Sequence, residues 1–175
     1  ADTEYNKRRQ ECTDAVLLVS EIVKNKNIKS LSDISLELLY ELEGKIPEKL
    51  FRRAKHVVTE NRRVLLAKEY MLKGEIEKLG KVLFESHNSV RYDYEVSTEK
   101  LDYLVDEMSK IKEVYGARLM GAGFGGSVIS IVKKSKIDSI TDIIGGKFFK
   151  KFNVSPNFIE CLFSDGTRRV KFKDV

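Results

Sequence analysis

Tryptophan is absent from this 175-residue sequence, and proline, cysteine and histidine occur only twice each. Two cysteines, Cys12 and Cys161, are too few for the disulfide framework of a small secreted domain. No Cys/His spacing of a zinc site is present, so we predict no metal site in this chain. The two prolines, Pro47 and Pro156, also exclude a proline-rich linker that would divide the chain.

Long apolar runs are missing as well, so no segment is predicted to span a membrane. The 32 Lys and Arg residues against 27 Asp and Glu residues leave a net charge of +5. The charges are mixed in sign, as in residues 45–48 and 75–78, which is typical of solvated helix faces rather than of a nucleic-acid-binding patch. We therefore expect neither a membrane nor a nucleic-acid partner, and we expect a cytoplasmic protein with both thiols reduced.

Apolar residues at helical spacing dominate the first two-thirds of the chain. The pattern predicts helices over residues 6–24, 30–43, 47–72, from Gly74 onward, and 98–111. In the third of these helices, two columns repeat every seven residues and predict a stripe that packs into the core. The columns are Phe51, Val58, Leu65 and Leu72 beside Val57, Val64 and Met71. The length suits one domain, which we predict to span residues 1–175.

The most informative segment is a glycine loop, residues 121–126, with glycine at four of its six positions. Glycine adopts positive φ without a Cβ penalty, so such a loop can turn backbone N–H groups toward phosphate or sugar oxygens. Its letters match the dinucleotide-binding fingerprint, but that motif requires a helix to follow it. Here Ser127–Val132 alternates small polar and β-branched residues, which predicts a strand. We therefore reject the dinucleotide interpretation.

The remaining pattern predicts a helix over residues 136–152, a strand over 158–163 and a last strand around Arg169. Long helices followed by short strands are typical of an α+β fold. We predict a helix-rich layer packed on a small, mostly antiparallel sheet, with the strands on either side of the glycine loop adjacent. A parallel sheet with a helix starting at Gly126 would contradict this fold.

The glycine loop resembles the third sequence motif of the GHMP small-molecule kinases. Phe124, between the glycine pairs, resembles the form that this motif takes in the galactokinases of that family. Four other segments are similar to galactokinase segments in the same order, so the resemblance covers the chain from Tyr5 to Val170. They are residues 4–12 (EYNKRRQEC), 51–60 (FRRAKHVVTE), 85–97 (ESHNSVRYDYEVS) and 164–170 (SDGTRRV). Four ordered matches are far more specific than one glycine loop.

The resemblance implies that the parent protein is a galactokinase, which uses ATP and Mg²⁺ to phosphorylate the anomeric hydroxyl of galactose. In their first half, galactokinases carry a sugar-binding segment with an Arg, a phosphate-binding loop and an Asp proposed as base. None of these is present, so we expect this chain to be the C-terminal domain without the N-terminal ATP- and sugar-binding domain. We place no catalytic residue in it. Alone, it is predicted to be inactive and to bind neither ATP nor Mg²⁺ tightly.

Two features are candidate ligand contacts by this resemblance. Tyr5 corresponds to a galactokinase tyrosine that hydrogen-bonds a sugar hydroxyl, and a phenol suits that task because it both donates and accepts. The alternative for Tyr5 is packing of its ring on the core. The glycine loop is expected near the nucleotide and the sugar; the alternative is that it only lets two domains approach closely. The loop residues in question are Gly121, Gly123, Phe124, Gly125 and Gly126.

Other titratable residues are interpreted as structural. His87 lies at the edge of an apolar stripe, with no nucleophile or metal-ligand partner suggested nearby, which favours a structural role over that of a general base. The cluster of Arg91, Asp93 and Glu95 is expected to form ion pairs that pin a turn between two helices. A catalytic role for these two carboxylates is the alternative.

Several functions stay open at this stage. A kinase of a related sugar, such as N-acetylgalactosamine or arabinose, would share all of these segments. A non-catalytic sugar sensor of galactokinase descent would keep the fold and Tyr5, but would pass the binding signal to a partner. A stand-alone interaction domain is a further alternative. The sequence does not indicate the oligomeric state.

Overall fold

A computed structural model describes residues 2–161 of the chain. Its elements, in order, are α1 (Asp2–Ile22), α2 (Leu36–Glu41), α3 (Glu48–Lys73), α4 (Ile76–Ser89), α5 (Glu99–Ser109), β1 (Val114–Met120), β2 (Ser127–Val132) and α6 (Ile137–Phe152). A π-helical segment, Val90–Tyr94, continues α4, and short 3₁₀ turns precede α2 and α6. No helix within residues 2–161 is long and apolar enough to cross a membrane.

Strands β1 and β2 form an antiparallel hairpin, in which Met120 lies opposite Ser127 and Ala117 lies opposite Ser130. The glycine loop is the tip of this hairpin. The strands that flank the loop are therefore adjacent, as predicted, and a strand rather than a helix begins at its end. The predicted α+β fold, with a helix-rich layer on a small antiparallel sheet, is confirmed.

Buried apolar side chains form three clusters. The first lies among α1, α2 and α3 and includes Ala15, Val19, Leu39, Phe51 and Ala54. The second joins α5, β1 and α6 and includes Val105, Met108, Ala117, Ile140 and Ile144. The third, which holds the base of the glycine loop, contains Val90, Val96, Leu101 and Leu119, with Phe124 packed against it. Strand β1 contributes to both the second and the third cluster and so links the sheet to the loop.

Helix α4 and strand β1 touch backbone to backbone where Gly80 meets Gly116. A Cβ built on Gly80 would overlap the carbonyl oxygen of Tyr115, and a Cβ on Gly116 would lie 2.5 Å from the Cα of Gly80. Neither position leaves room for a side chain. The crossing fixes β1, and with it the glycine loop, against the helices.

The predicted core stripe of α3 is wrong in its second half. Phe51 and Val58 are buried, and the buried positions of the helix end at Val58. At 1.5 Å per residue, the 26-residue helix is about 39 Å long, and only its first part packs against α1 and α2. Val57 is partly buried against the first cluster. The stripe residues beyond Val58 are exposed, with exposed fractions of 60% for Val64, 69% for Leu65, 57% for Met71 and 80% for Leu72.

Two other expectations need correction. The helix predicted over residues 30–43 is interrupted, because Ser35 caps α2 by accepting a hydrogen bond from the Leu38 N–H after a separate 3₁₀ turn, Leu31–Asp33. The strand predicted over 158–163 is not formed in residues 158–161. A strand requires a partner, and within the described residues β1 and β2 pair only with each other. The last strand, around Arg169, lies outside the described residues.

Candidate functional site

A cavity of about 140 Å³ lies between the start of α1 and the glycine loop. Tyr5 lines it together with Gly121 and Phe124, so the structure brings together two predicted contact segments that are more than 100 residues apart in the sequence. Gly123, Gly125 and Gly126 are not part of its lining. The polar side chains of the wall are Tyr5, Arg8, His56, Tyr94 and Arg118.

Tyr5 is the fourth residue of α1, at the end of its first turn, and its exposed fraction is 52%. A side chain with half of its surface exposed is not a core residue, which weighs against the packing alternative. At the cavity wall, its hydroxyl can donate a hydrogen bond to a ligand and accept one from it. Contact between Tyr5 and a substrate stays a prediction.

The start of α1 is held in place by a buried arginine on α3. Arg53 is fully buried and donates to Glu11 Oε2 at 2.8 Å, to Glu95 Oε2 at 2.5 Å and to the backbone oxygen of Asp93 at 2.5 Å. Arg8 binds Glu11 as well and donates to the backbone oxygen of Glu95 at 3.3 Å. The network thus ties the turn of α1 that follows Tyr5 to α3 and to the end of the π-helical segment.

Glu11 is the shared anion of this network. Burial alone would raise the pKa of Glu11, but hydrogen bonds from Lys49, Arg53 and Arg8 outweigh it and lower the pKa from its ordinary 4.5 to about 2. Glu11 is therefore charged at neutral pH. The packing of α1 thus depends on a charge that disappears only in strong acid.

The charged residues of the π-helical segment and its C-terminal flank also act as structural partners. Arg91 contacts Asp102 at 3.1 Å and Asp106 at 3.1 Å on α5. Asp93 accepts from Lys55 at 3.2 Å, and Glu95 binds Arg53. Each carboxylate is engaged by a cation, which agrees with the ion-pair interpretation of this cluster.

Arg118, near the end of β1, contributes positive charge to the cavity wall. Its Nη1 donates to Glu60 Oε1 at 2.7 Å, and Glu60 also accepts from Arg63 and Ser86. The Arg118 side chain remains 29% exposed. With Arg8, it provides two guanidinium groups beside the cavity.

One side of the glycine loop is packed against the protein itself. Gly123 has a φ of +87°, and a Cβ built on it would lie 2.6 Å from the Cβ of Val96. The next N–H, of Phe124, donates to the Val96 oxygen at 2.6 Å, and the Phe124 ring packs on the third core cluster. Close packing against Val96 within the same domain therefore accounts for the glycine at position 123.

The other side of the loop is open. Gly121 has a φ of +95°, close to that of Gly123, but a Cβ built on it would meet no atom within 4 Å. The same holds for Gly125, and at Gly126 the nearest atom would be the Met120 oxygen at 3.7 Å. These positions leave backbone accessible to a ligand.

His56 projects from α3 to the cavity wall and is buried, with an exposed fraction of 8%. Its ring stacks on Tyr94, with centroids 4.4 Å apart and planes 23° apart. Nδ1 lies 3.0 Å from the hydroxyl of Ser89. Burial lowers the pKa of His56 to about 4, although the charge of Glu60 opposes this shift. His56 is therefore neutral at physiological pH.

His87 has the structural role that was expected of it. It is fully buried, and its Nδ1 accepts a hydrogen bond from the Leu119 N–H at 3.2 Å. Its Nε2 lies 3.2 Å from Asp102 Oδ1. The ring thus links α4 and α5 to the end of β1 just before the glycine loop. Burial lowers the pKa of His87 despite the charge of Asp102.

Sequence reasoning did not assign Arg8, His56, Tyr94 or Arg118 to the cavity. Arg8, His56 and Tyr94 lie within the segments that resemble galactokinases, so the resemblance contained the signal for them. Arg118 lies outside those segments, and it reaches the cavity because it stands two residues before the end of β1. What was missing is the tertiary packing that brings α1, α3 and β1 together.

The chain offers no cluster of metal ligands in the part that the structure describes. Within residues 2–161, no three His, Cys, Asp or Glu side chains are arranged to hold a metal ion. We therefore assign no Mg²⁺ ligand to these residues. For nucleotide phosphates, the open backbone at Gly121 and the charge of Arg118 are compatible with an anionic ligand.

Comparison with known proteins places these features in a family. The family profile described as "GHMP kinases C terminal" matches residues 67–151. The chain is 40% identical over 171 residues to the galactokinase of Clostridium beijerinckii, and 36% identical over 171 residues to that of Thermosipho africanus. These alignments cover 97% and 98% of this chain, but 43% and 46% of the relatives. The chain thus spans less than half the length of the curated relatives it matches.

A solved structure gives the same result. The crystal structure of Lactococcus lactis galactokinase complexed with galactose superposes with a TM-score of 0.79 and 32% sequence identity, over 86% of this chain and 38% of that chain. The resemblance noted from the sequence is therefore confirmed at the level of both sequence and fold. Residues 67–151 thus match the C-terminal domain of the GHMP kinases, and the relatives that the chain matches are galactokinases.

Proposed function

We propose that this chain is the C-terminal domain of a galactokinase, the enzyme that transfers the γ-phosphoryl group of ATP to the anomeric hydroxyl of galactose. One observation carries the proposal: the segment with Tyr5 and the glycine loop, both similar to galactokinase segments, line the same cavity. The galactokinase relatives and the structural neighbour complexed with galactose support the same assignment.

In this proposal, each part of the wall has a physical task. The Tyr5 hydroxyl hydrogen-bonds the sugar, and the guanidinium groups of Arg8 and Arg118 favour negative charge beside it. The open backbone at Gly121 lets a ligand approach without a side chain in the way. Bound ATP supplies the phosphoryl group. Because phosphoryl transfer depends mostly on positioning and charge stabilisation, a site divided between two domains loses most of its activity when one is removed.

We also propose that residues 1–175 form one domain and that the N-terminal ATP- and sugar-binding domain lies in the rest of the protein. Within the described residues, β1 links the second and third core clusters, and the Arg53 network links α1, α3 and the π-helical segment. These links support a single domain. The cytoplasmic location expected from the sequence stays a prediction.

The direct test is an assay of the full-length protein with Mg-ATP and galactose, in which galactose 1-phosphate and ADP are both quantified. We expect equal amounts of the two products from the full-length protein and none from residues 1–175 alone. A parallel series with N-acetylgalactosamine and arabinose tests the related-sugar kinases. Galactose binding without turnover would indicate a sensor, and absence of both would refute the proposal. Turnover by the fragment alone would contradict the assignment of catalysis to the rest of the protein.

A further inference from the structure

The hydrogen bonds around His56 define which of its nitrogens carries the proton. The Ser89 hydroxyl lies 3.0 Å from His56 Nδ1 and donates to Asp93 Oδ2 at 3.0 Å. A hydroxyl has one proton, and a carboxylate is the stronger acceptor. Ser89 therefore accepts from His56, which makes Nδ1 the protonated nitrogen and leaves Nε2 with a free lone pair.

The free nitrogen has access to the cavity. Within residues 2–161, His56 Nε2 has no hydrogen-bond partner, and it is not among the fully enclosed polar atoms that lack one. One face of the ring is covered by Tyr94, and the Nδ1 edge is covered by Ser89. His56 is buried except where it lines the cavity. The unpartnered edge is thus the edge that remains for a ligand.

The protonation state of His56 is settled by its surroundings. The charges of Glu60 and Asp93 raise the pKa of His56, those of Arg63 and Arg118 lower it, and the two pairs offset one another. Burial is the largest influence and lowers the pKa of His56 to about 4. The ring therefore stays neutral at the pH of a cell, and Nε2 stays an acceptor.

We infer that His56 Nε2 is a ligand-binding atom, which accepts a hydrogen bond from a hydroxyl group of the substrate that occupies the cavity. This inference rests on the proposed function and deepens it. Arg8 and Arg118 can only donate, and the phenols of Tyr5 and Tyr94 can either donate or accept. Among the described residues, His56 Nε2 is therefore the one lining side-chain nitrogen or oxygen that can only accept, which suits a group that donates. A phosphate oxygen cannot donate, whereas a sugar hydroxyl can. Two hydroxyl sources are compatible with this chemistry, namely galactose and the ribose of ATP.

Two substitutions separate the cavity-facing nitrogen from the buried one. In His56→Asn, the amide nitrogen takes the place of Nδ1 and keeps the donor to Ser89, but the acceptor in the cavity is lost. In His56→Gln, the longer amide reaches the place of Nε2 and keeps that acceptor. Ser89→Ala tests the tautomer, because without the Ser89 hydroxyl the proton is no longer held on Nδ1 and can move to Nε2.

The test is steady-state kinetics of the full-length protein with Mg-ATP and galactose, with thermal unfolding of each variant alongside. Loss of one neutral hydrogen bond raises a KM by about 2- to 12-fold. We expect this for His56→Asn, and a smaller rise of the same KM for His56→Gln and for Ser89→Ala. A rise in the KM of galactose assigns the hydroxyl to the sugar, and a rise in the KM of ATP assigns it to the ribose.

The opposite result is equally clear. If His56→Asn and Ser89→Ala lower the unfolding midpoint alike and leave both KM values unchanged, His56 is structural and the inference is wrong. Should His56→Asn fail to fold, His56→Met replaces it, because it fills the space without a strong acceptor. A wild-type protein that neither binds nor phosphorylates galactose would refute the proposed function, and the His56 assignment with it. If the wild type is active and the KM values of the His56 variants equal those of the wild type, only the His56 assignment is refuted.

Discussion

The two walls of the cavity are held in place by different physics. The glycine-loop wall rests on close steric contact: Gly80 against Gly116, and Gly123 against Val96. The α1 wall, which carries Tyr5 and Arg8, rests on charge, because Arg53 binds Glu11 and Glu95 in a buried network. Steric contact does not depend on pH or salt, whereas a charge network depends on the ionisation of its members. The α1 wall should therefore be the more sensitive of the two to strong acid, in which Glu11 loses its charge.

The largest effect is expected from removal of the central cation of the α1 wall. Arg53→Met keeps the length of the side chain but leaves Glu11 and Glu95 without their common partner, and breaking a buried pair in this way costs about 3–5 kcal/mol. Urea denaturation of the full-length protein measures the loss. Lys68→Met, an exposed cation on the same helix, is the control and should change the free energy of unfolding by no more than about 0.5 kcal/mol. Equal losses in both variants would remove the special role of Arg53.

A loss of about 3 kcal/mol is expected from Gly80→Ala, because the added methyl group would overlap the Tyr115 carbonyl and overpacking costs about that much. Gly146→Ala is the matched control. Gly146 also lies inside a helix, but its Cβ would meet nothing within 4 Å, so the change should stabilise by up to about 1 kcal/mol. If the free energy of unfolding changes with the same sign in both variants, the close crossing of α4 and β1 is not as described.

Gly121 and Gly123 sharpen the comparison within the loop itself. Their φ values, +95° and +87°, are nearly equal, so alanine causes similar backbone strain of about 1–3 kcal/mol at both. Gly123→Ala additionally overlaps Val96 and should lose a further 1–3 kcal/mol or so of stability. Gly121→Ala places its methyl group at the cavity and should lower kcat/KM more than Gly123→Ala does. The reverse order in both measurements would contradict the assignment of a packed and an open side.

A smaller and gradual effect is expected from acid. The pKa of Glu11 is lowered in the folded protein, so its contribution to stability is complete above about pH 4.5 and is lost as pH falls toward about 2. Urea denaturation between pH 6 and pH 3 should show this loss in the wild type. In Glu11→Gln, the loss over the same interval should be shallower. Identical slopes would mean that Glu11 does not carry the acid sensitivity of the α1 wall.

The smallest effect is expected from Tyr5→Phe, which removes one hydroxyl from a half-exposed side chain. If that hydroxyl binds the sugar, kcat/KM for galactose falls by the value of one hydrogen bond, about 0.5–1.5 kcal/mol. The unfolding midpoint should not change. A changed midpoint with an unchanged kcat/KM would favour the packing alternative for Tyr5.

Local sequence patterns were sufficient to predict the type of an element where its apolar residues follow a clear period. The period-two alternation of Ser127–Val132 identified β2, and the requirement for a following helix excluded a dinucleotide-binding loop. The same reasoning failed on α3. The seven-residue repeat of apolar side chains in α3 continues to Leu72, whereas the last buried side chain of this helix is Val58. Periodicity shows which face of a helix is apolar, but it does not show how far a neighbouring layer extends along that face.

The site depended on contacts between distant segments, and most of it could not be predicted. Arg53 is one of two successive arginines, a pattern typical of an exposed helix face, and only the meeting of Glu11 and Glu95 explains its burial. Gly80 showed no sign of its contact with Gly116 either. Tyr5 and Phe124 were predicted only because the family resemblance identified them.

Hydrogen–deuterium exchange of the full-length protein, followed peptide by peptide, tests most directly whether the two walls are held independently. Arg53→Met should accelerate exchange in residues 2–22 and 90–96, and should leave residues 114–132 close to wild type. Gly80→Ala should accelerate exchange in residues 114–132 and leave the start of α1 protected. If both variants open the same peptides to the same extent, the walls form one cooperative unit, and their separate support by charge and by steric contact is contradicted.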